Sequence, residues 1–149
     1  MMQINNKTSG FTLIEVLITI IVLAIGLLGM AALQSTGLKN NNSAYMRSQA
    51  TVLAYDMADR MRANSKGTYA AVAVPAGPDA TCKTPPGGCA VDAMAKNDIY
   101  EWDKQIKAIL PASSGVITVS ANNVVTIEVK WFDTPESGAT KSFKMSFLQ

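Results

Sequence analysis

Two places in this sequence hold residues whose types and spacing could do chemistry: the run Gly10-Phe11-Thr12-Leu13-Ile14-Glu15 and the pair Cys82 and Cys89. Glu15 heads a block in which Val16 to Leu33 carries no charge. At the positive end of a helix dipole a carboxylate gains about 0.3–1 kcal/mol, whereas at mid-bilayer depth it costs about 2.5–3.5 kcal/mol. Glu15 lies near the end of the block, which reduces that cost, yet a partner explains its presence better than the dipole does. The cysteines enclose Pro85-Pro86-Gly87-Gly88 and suit a small disulfide-closed loop in an oxidising compartment. The rival reading is a redox-active pair. It is weaker because the spacing is not C-x-x-C and only Lys83 is adjacent to lower a thiol pKa. Histidine is absent, which removes the commonest general base and metal ligand, and two cysteines without a ligand cluster cannot close a zinc site. With no phosphate-binding glycine loop, nucleophile–base motif or internal repeat, no catalytic residue, metal or cofactor is assigned.

The elements that must position Glu15 come in an unusual order. An ordinary secretory signal places its apolar stretch before the cleavage site; here a short polar leader, Met1 to Gly10 with Lys7 as its one charge, precedes it. If Phe11 to Leu33 is helical, its roughly 23 residues reach about 34 Å, enough for a hydrocarbon core near ~30 Å. Lys7 on the leader side, with no cluster soon after Leu33 beyond Lys39, favours a cytoplasmic N-terminus and a periplasmic remainder. Gly26 and Gly29 lower helix propensity inside this block, and either close helix packing or local unwinding would account for them. Beyond the block the composition is that of an ordinary soluble domain. The 149 residues suit one domain, and 13 Lys and Arg against 11 Asp and Glu leave no basic footprint for nucleic acid.

Apolar residues return at Met46, Ala50, Leu53, Ala54, Met57, Ala58 and Met61, spaced by three and four along one helical face. The other face carries Arg47, Ser48, Thr51, Asp56, Asp59 and Arg60, which read as solvated, with Asp56 and Arg60 placed for an exposed ion pair. No proline interrupts the chain before Pro75, so one helix is expected to run through to about Asn64, ahead of Gly67. The stretch from Pro75 to Ala90 reads as a loop with several turns. Ile99, Trp102, Ile106 and either Ile109 or Leu110 predict a second helix from near Asp92 to Leu110. Alternation at Ile117 and Val119, then Val125, Ile127, Val129 and Trp131, around Ala121-Asn122-Asn123, predicts a hairpin. Phe143, Met145 and Phe147 add a third antiparallel strand after the turn-rich stretch Asp133 to Gly138. Tyr100, Trp102, Trp131 and Phe132 are expected to pack rather than to bind a ligand. The fold class is therefore α+β, a long N-terminal helix packed on a small antiparallel sheet with an extra short helix.

Gly10-Phe11-Thr12-Leu13-Ile14-Glu15 followed by the apolar run resembles the class III signal of type IV prepilins and type II secretion pseudopilins. In that family a membrane aspartyl peptidase cuts after the glycine and methylates the new N-terminal amine. The resemblance maps cleavage to Gly10 and Phe11, N-methylation to Phe11, and the acidic residue at the fifth place of the processed chain to Glu15, where it implies an assembly salt bridge. The block Gly26 to Asn64 resembles the type IV pilus modification proteins, the PilV group of minor pilins, and with the cleavage motif covers more than a third of the chain. Asp98 and Trp102 ahead of Leu110-Pro111, and a strand with Trp131, are fainter echoes. Many major pilins carry a proline in the membrane half of the helix and a disulfide near the C-terminus. This chain has neither, so no receptor-binding loop is carried over.

The resemblance implies a type IV pilin-like fold with a cleaved leader at 1–10, a transmembrane and assembly segment at 11–33, and a periplasmic domain at 34–149. It implies a minor pilin, not an enzyme, whose partners are other minor and major pilins, prepilin peptidase, the inner-membrane assembly platform and, before assembly, membrane lipid. A minor pseudopilin of type II secretion would share these signals. A membrane-tethered periplasmic enzyme or binding protein would need converging polar groups in a concave site, for which the sequence offers no cluster.

Overall fold

The computed structural model describes residues 10–70, 74–75, 77–79, 82, 88–133 and 139–148. Residues 1–9 of the leader with Lys7, the span holding Lys83 and Pro85-Pro86-Gly87, and the turn residues between Asp133 and Ala139 lie outside the described residues. The chain divides into two units, Met1–Asn41 and Asn42–Gln149. One helix, α1, spans Leu13–Ala63 and contributes to both. Its first part, in the N-terminal unit, buries none of its apolar side chains within the chain. Two of its hydroxyls bond back to the helix: that of Thr19 donates to Val16 O at 2.8 Å and that of Thr36 to Ala32 O at 3.1 Å. A Cβ added at Gly26 or Gly29 would meet nothing within 4 Å, so neither glycine makes room for another part of this chain.

The second unit is built around the amphipathic part of α1. Ala50, Leu53, Ala54, Met57, Ala58 and Met61, the face set by spacings of three and four, are buried. Helix α2, Val91–Ile109, adds Ala95, Ile99, Trp102 and Ile106 to the same core. At its end Leu110 is buried while Ile109 stays 44% exposed, which resolves the choice between them. Three strands follow, β1 Ser114–Val119, β2 Val124–Phe132 and β3 Thr140–Leu148, in the antiparallel order β1-β2-β3. Gly115, Ile117 and Val119 of β1 align with Val129, Ile127 and Val125 of β2, and those with Phe143, Met145 and Phe147 of β3. This register puts every apolar alternation on one face of the sheet, as a period of two requires. In the hairpin, Ser120 N–H donates to Val124 O at 2.9 Å and Asn123 takes a left-handed φ of 56°, a conformation asparagine tolerates. The α+β expectation holds, with helix and strand limits within a few residues of those read from the sequence.

Two packing details set the core's geometry. The Trp102 indole N–H donates to Leu53 O at 2.8 Å, tying α2 to α1 through a buried polar tip. Against the ring lies Gly115: a Cβ there would come within 2.3 Å of Trp102 Cζ3 and 2.9 Å of Ile106 Cδ1. The first strand therefore needs glycine where α2 presses closest.

Candidate functional site: the start of α1

Phe11 and Gly10 stand just ahead of the helix, exposed. Thr12 starts it. Its carbonyl accepts from Glu15 N–H at 3.1 Å and Val16 N–H at 3.3 Å, and its hydroxyl accepts from Glu15 N–H at 3.4 Å. Thr12 thus occupies the cap position and Glu15 the third helical one, the spacing of a capping box. Thr12 is a residue that sequence reasoning missed, although T-x-x-E is the local signal for it. Glu15 is exposed, and among the described residues no cation pairs with its carboxylate. Behind it the helix contains a stretch long and apolar enough to cross a membrane, none of it buried inside the chain. Gly10, Phe11 and Glu15 therefore come together at one helix start, on a surface that needs apolar surroundings.

Cys82 and Cys89 belong to the other unit, where a disulfide joins them with 4.5 Å between their Cα atoms. Among the described residues they meet no His, Asp or Glu set that could hold a metal.

The sequence reading missed two polar clusters in the C-terminal unit. In the first, Tyr69, 2% exposed, donates from its hydroxyl to Asp98 Oδ2 at 2.7 Å and accepts from Asn64 Nδ2 at 3.1 Å. Asn64 Nδ2 also reaches Val91 O at 2.9 Å, and Arg60 reaches both Asp56 at 2.9 Å and Asp98 at 3.5 Å. Arg60 is consequently no simple member of a solvated face: it is half-buried and links the end of α1 to α2. Burial first, and then the hydrogen bond to the Asp98 carboxylate, pushes the Tyr69 phenol well above its ordinary 10.0. A phenol that holds its proton this firmly acts as a donor, not as a base or nucleophile. Beside it a cavity of about 30 Å³, lined by Tyr69, Val74, Ile99, Trp102, Asp103, Gly115 and Ile117, has room for about one water.

The second cluster joins α1 to the far end of the sheet. Ser43 Oγ donates to Asp133 Oδ2 at 2.9 Å and accepts from Lys141 Nζ at 3.0 Å, while Lys141 also pairs directly with Asp133. Lys141, with help from Ser43, holds the Asp133 carboxyl below its ordinary range. A serine facing an ionised carboxylate and a carboxylate-paired ammonium has no free base to activate it. The cluster is suited to holding, not to turnover.

Residues 32–100 match a family model described as Tt1218-like, Type IV pilin Tt1218. Residues 5–31 match the prokaryotic N-terminal methylation motif. No curated protein and no solved structure matches the chain. The two matched regions adjoin, and the helix start and sheet described above fall within the fold they imply. They support a type IV pilin with a prepilin signal, processed by prepilin peptidase and anchored in a membrane by its apolar helix. The family is structural rather than enzymatic, and its members assemble with other pilins.

Proposed function

We propose that this chain is a minor pilin of the PilV type, cut between Gly10 and Phe11, N-methylated on Phe11 and incorporated into a type IV pilus, in the complex that primes assembly or at the tip. The observation that carries the reading is the capped helix start, where Gly10 and Phe11 precede a first turn holding Glu15 and an apolar surface with no cover in its own chain. Before assembly that surface lies in the inner membrane as a single span, leader side cytoplasmic, with the domain in the periplasm where the Cys82–Cys89 bond forms. Intact-mass measurement of membrane-extracted protein is expected to show loss of Met1 to Gly10 and one added methyl group. A dominant species keeping the leader in a host with active peptidase overturns the reading.

Glu15 acts in assembly under the same proposal. Cleavage leaves a cationic amine on Phe11, and methylation replaces one of its protons without abolishing the charge. The amine of an adjoining subunit meets Glu15 and rewards one axial register, where apolar surfaces alone tolerate sliding. Glu15→Leu is expected to insert and be processed normally, yet to crosslink poorly to neighbouring pilins and to restore few pili to a deletion strain. Full restoration at matched expression refutes this role. A deletion that abolishes protein secretion and spares surface pili would point to the pseudopilin alternative.

A further inference from the structure

The sheet has two outer edges, β1 and β3, and the two fit each other. β3 is nine residues long, pairs with β2 without a bulge and contains no proline. Lysines on an edge strand ordinarily keep other strands away. Both lysines of β3 are instead held by carboxylates of their own chain: Lys141 pairs with Asp133, and Lys144 with Glu128 at 3.4 Å. At the opposite edge β1, Ser114-Gly115-Val116-Ile117-Thr118-Val119, carries no charge. Among the described residues no backbone hydrogen bond reaches either strand from outside the sheet.

Orientation and register decide which strand suits the β3 edge. β1 and β3 both run antiparallel to β2, so they are parallel to each other. A second copy displaced sideways in the same orientation brings its β1 alongside β3 with matching faces. At that level Gly115, Ile117 and Val119 of the copy lie beside Phe143, Met145 and Phe147, and Val116 lies beside Lys144. Apolar side chains then meet on one face, and the uncharged β1 brings no like charge to either lysine. Phe143, Met145 and Phe147 are only partly buried in their own chain and Val119 is 38% exposed, so the contact has apolar surface to remove from water. A contact of β3 with β3 about a two-fold axis would close at two copies. The β3–β1 contact leaves one edge open at each end and so adds further copies, as a filament requires.

We infer that β3 of one copy docks the β1 edge of a second copy as a parallel strand pair, extending the sheet from subunit to subunit. The inference rests on the pilin reading and adds to it a contact in the domain, separate from Glu15 and the apolar helix.

Cysteine crosslinking of the full chain, in vesicles of phosphatidylethanolamine and phosphatidylglycerol, tests this. Within one chain Val116 and Lys144 stand on either side of β2, at two strand spacings or about 9.5 Å, too far for a disulfide. Both side chains are exposed, so cysteine is tolerated at either position, and Cys82 and Cys89 are already bonded to each other. A mixture of Val116→Cys and Lys144→Cys chains under mild oxidation is expected to give at least ~10-fold more covalent dimer than either variant alone. Val116→Cys mixed with Ser142→Cys or Ser146→Cys covers a slip by two residues, the smallest that keeps the faces matched. Dimer in none of the Val116→Cys mixtures overturns the inference. So does dimer formed chiefly by Lys144→Cys with Ser146→Cys, which oppose each other across a two-fold axis at Met145. The vesicles hold no peptidase, so either result is distinct from failure of Gly10–Phe11 processing in the host, which would overturn the pilin reading instead.

Discussion

The two ends of α1 share a backbone conformation and little else. Ile18 and Ile21 are half exposed or more, while Met57 and Met61, about ten turns on, are fully buried. Near Met57 the helix is stabilised by tertiary packing of one face, which is the usual source of helical stability in a folded protein. Near Ile18 it is stabilised by its own closed set of backbone hydrogen bonds, and its side chains await a surrounding that the chain does not supply. A mutation in one region should therefore be silent where the other is measured.

The largest test of that separation is Trp102→Ala. It removes a buried indole and its hydrogen bond to Leu53 O, and the domain is expected to lose about 3–5 kcal/mol in urea titrations of the detergent-solubilised chain. Ile21→Ala deletes a side chain of comparable apolar character from the other region. Its domain midpoint should stay within about 0.5 kcal/mol of wild type. A shared loss would mean that the two ends are energetically one body.

Gly115→Ala sharpens the contrast by adding a methyl group instead of removing one. The new Cβ would press on the buried Trp102 ring and Ile106, and overpacking of this kind costs about 1–3 kcal/mol. Gly26→Ala, made in open space, should leave the domain's unfolding midpoint unchanged.

The next effect depends on pH. Tyr69→Phe is expected to cost the domain about 1–2 kcal/mol at neutral pH, since the Asp98 carboxylate loses its short hydrogen bond. Because the folded phenol titrates above its ordinary 10.0, its contribution is complete below that pH. Above it the unfolded chain releases the proton first, and stability falls as pH rises. Wild-type stability should therefore decline more steeply above pH 10 than that of Tyr69→Phe, in thermal melts across an alkaline series. Parallel declines would show that Tyr69 is not the group responsible.

What could be read from the sequence was whatever is written locally. The α1 core face, the α2 face and the β alternation are periodic within single segments, so Leu53, Trp102 and Ile127 could each be placed before any contact was seen. The run from Gly10 to Glu15 is likewise a local pattern. The Tyr69 cluster was not legible, because Arg60, Asn64, Tyr69 and Asp98 come from three segments and none has a distinctive neighbourhood in the chain. Asp133 and Lys141 meet Ser43 across about ninety residues for the same reason. Gly115 has no distinctive pattern around it in the chain, and only the position of Trp102 reveals why it is glycine.

The smallest expected effect concerns Ala112, in the corner between α2 and β1. The chain turns sharply there: Leu110 N–H still bonds Ile106 O at 2.9 Å, and Ser113 Oγ covers Ile106 O at 3.0 Å and Leu110 O at 2.8 Å. Pro111 O accepts from Phe132 N–H at 3.2 Å, fixing the corner to the end of β2. Between these anchors Ala112 is held at φ 45°, where its Cβ crowds the following carbonyl at a cost of roughly 1–2 kcal/mol. Ala112→Gly removes that strain but gives the unfolded chain more freedom, worth about 0.4–1 kcal/mol in the opposite direction. The balance predicts a small gain, about 0.5 kcal/mol. Ala54→Gly makes the same chemical change in a buried helical position, where propensity and lost packing act together, and should destabilise by about 1 kcal/mol or more. Opposite signs for one methyl deletion, read as shifts of the urea midpoint, would show that backbone conformation decides at Ala112. A loss at both positions would place the Ala112 methyl group among the contacts that hold the corner and remove strain from the account.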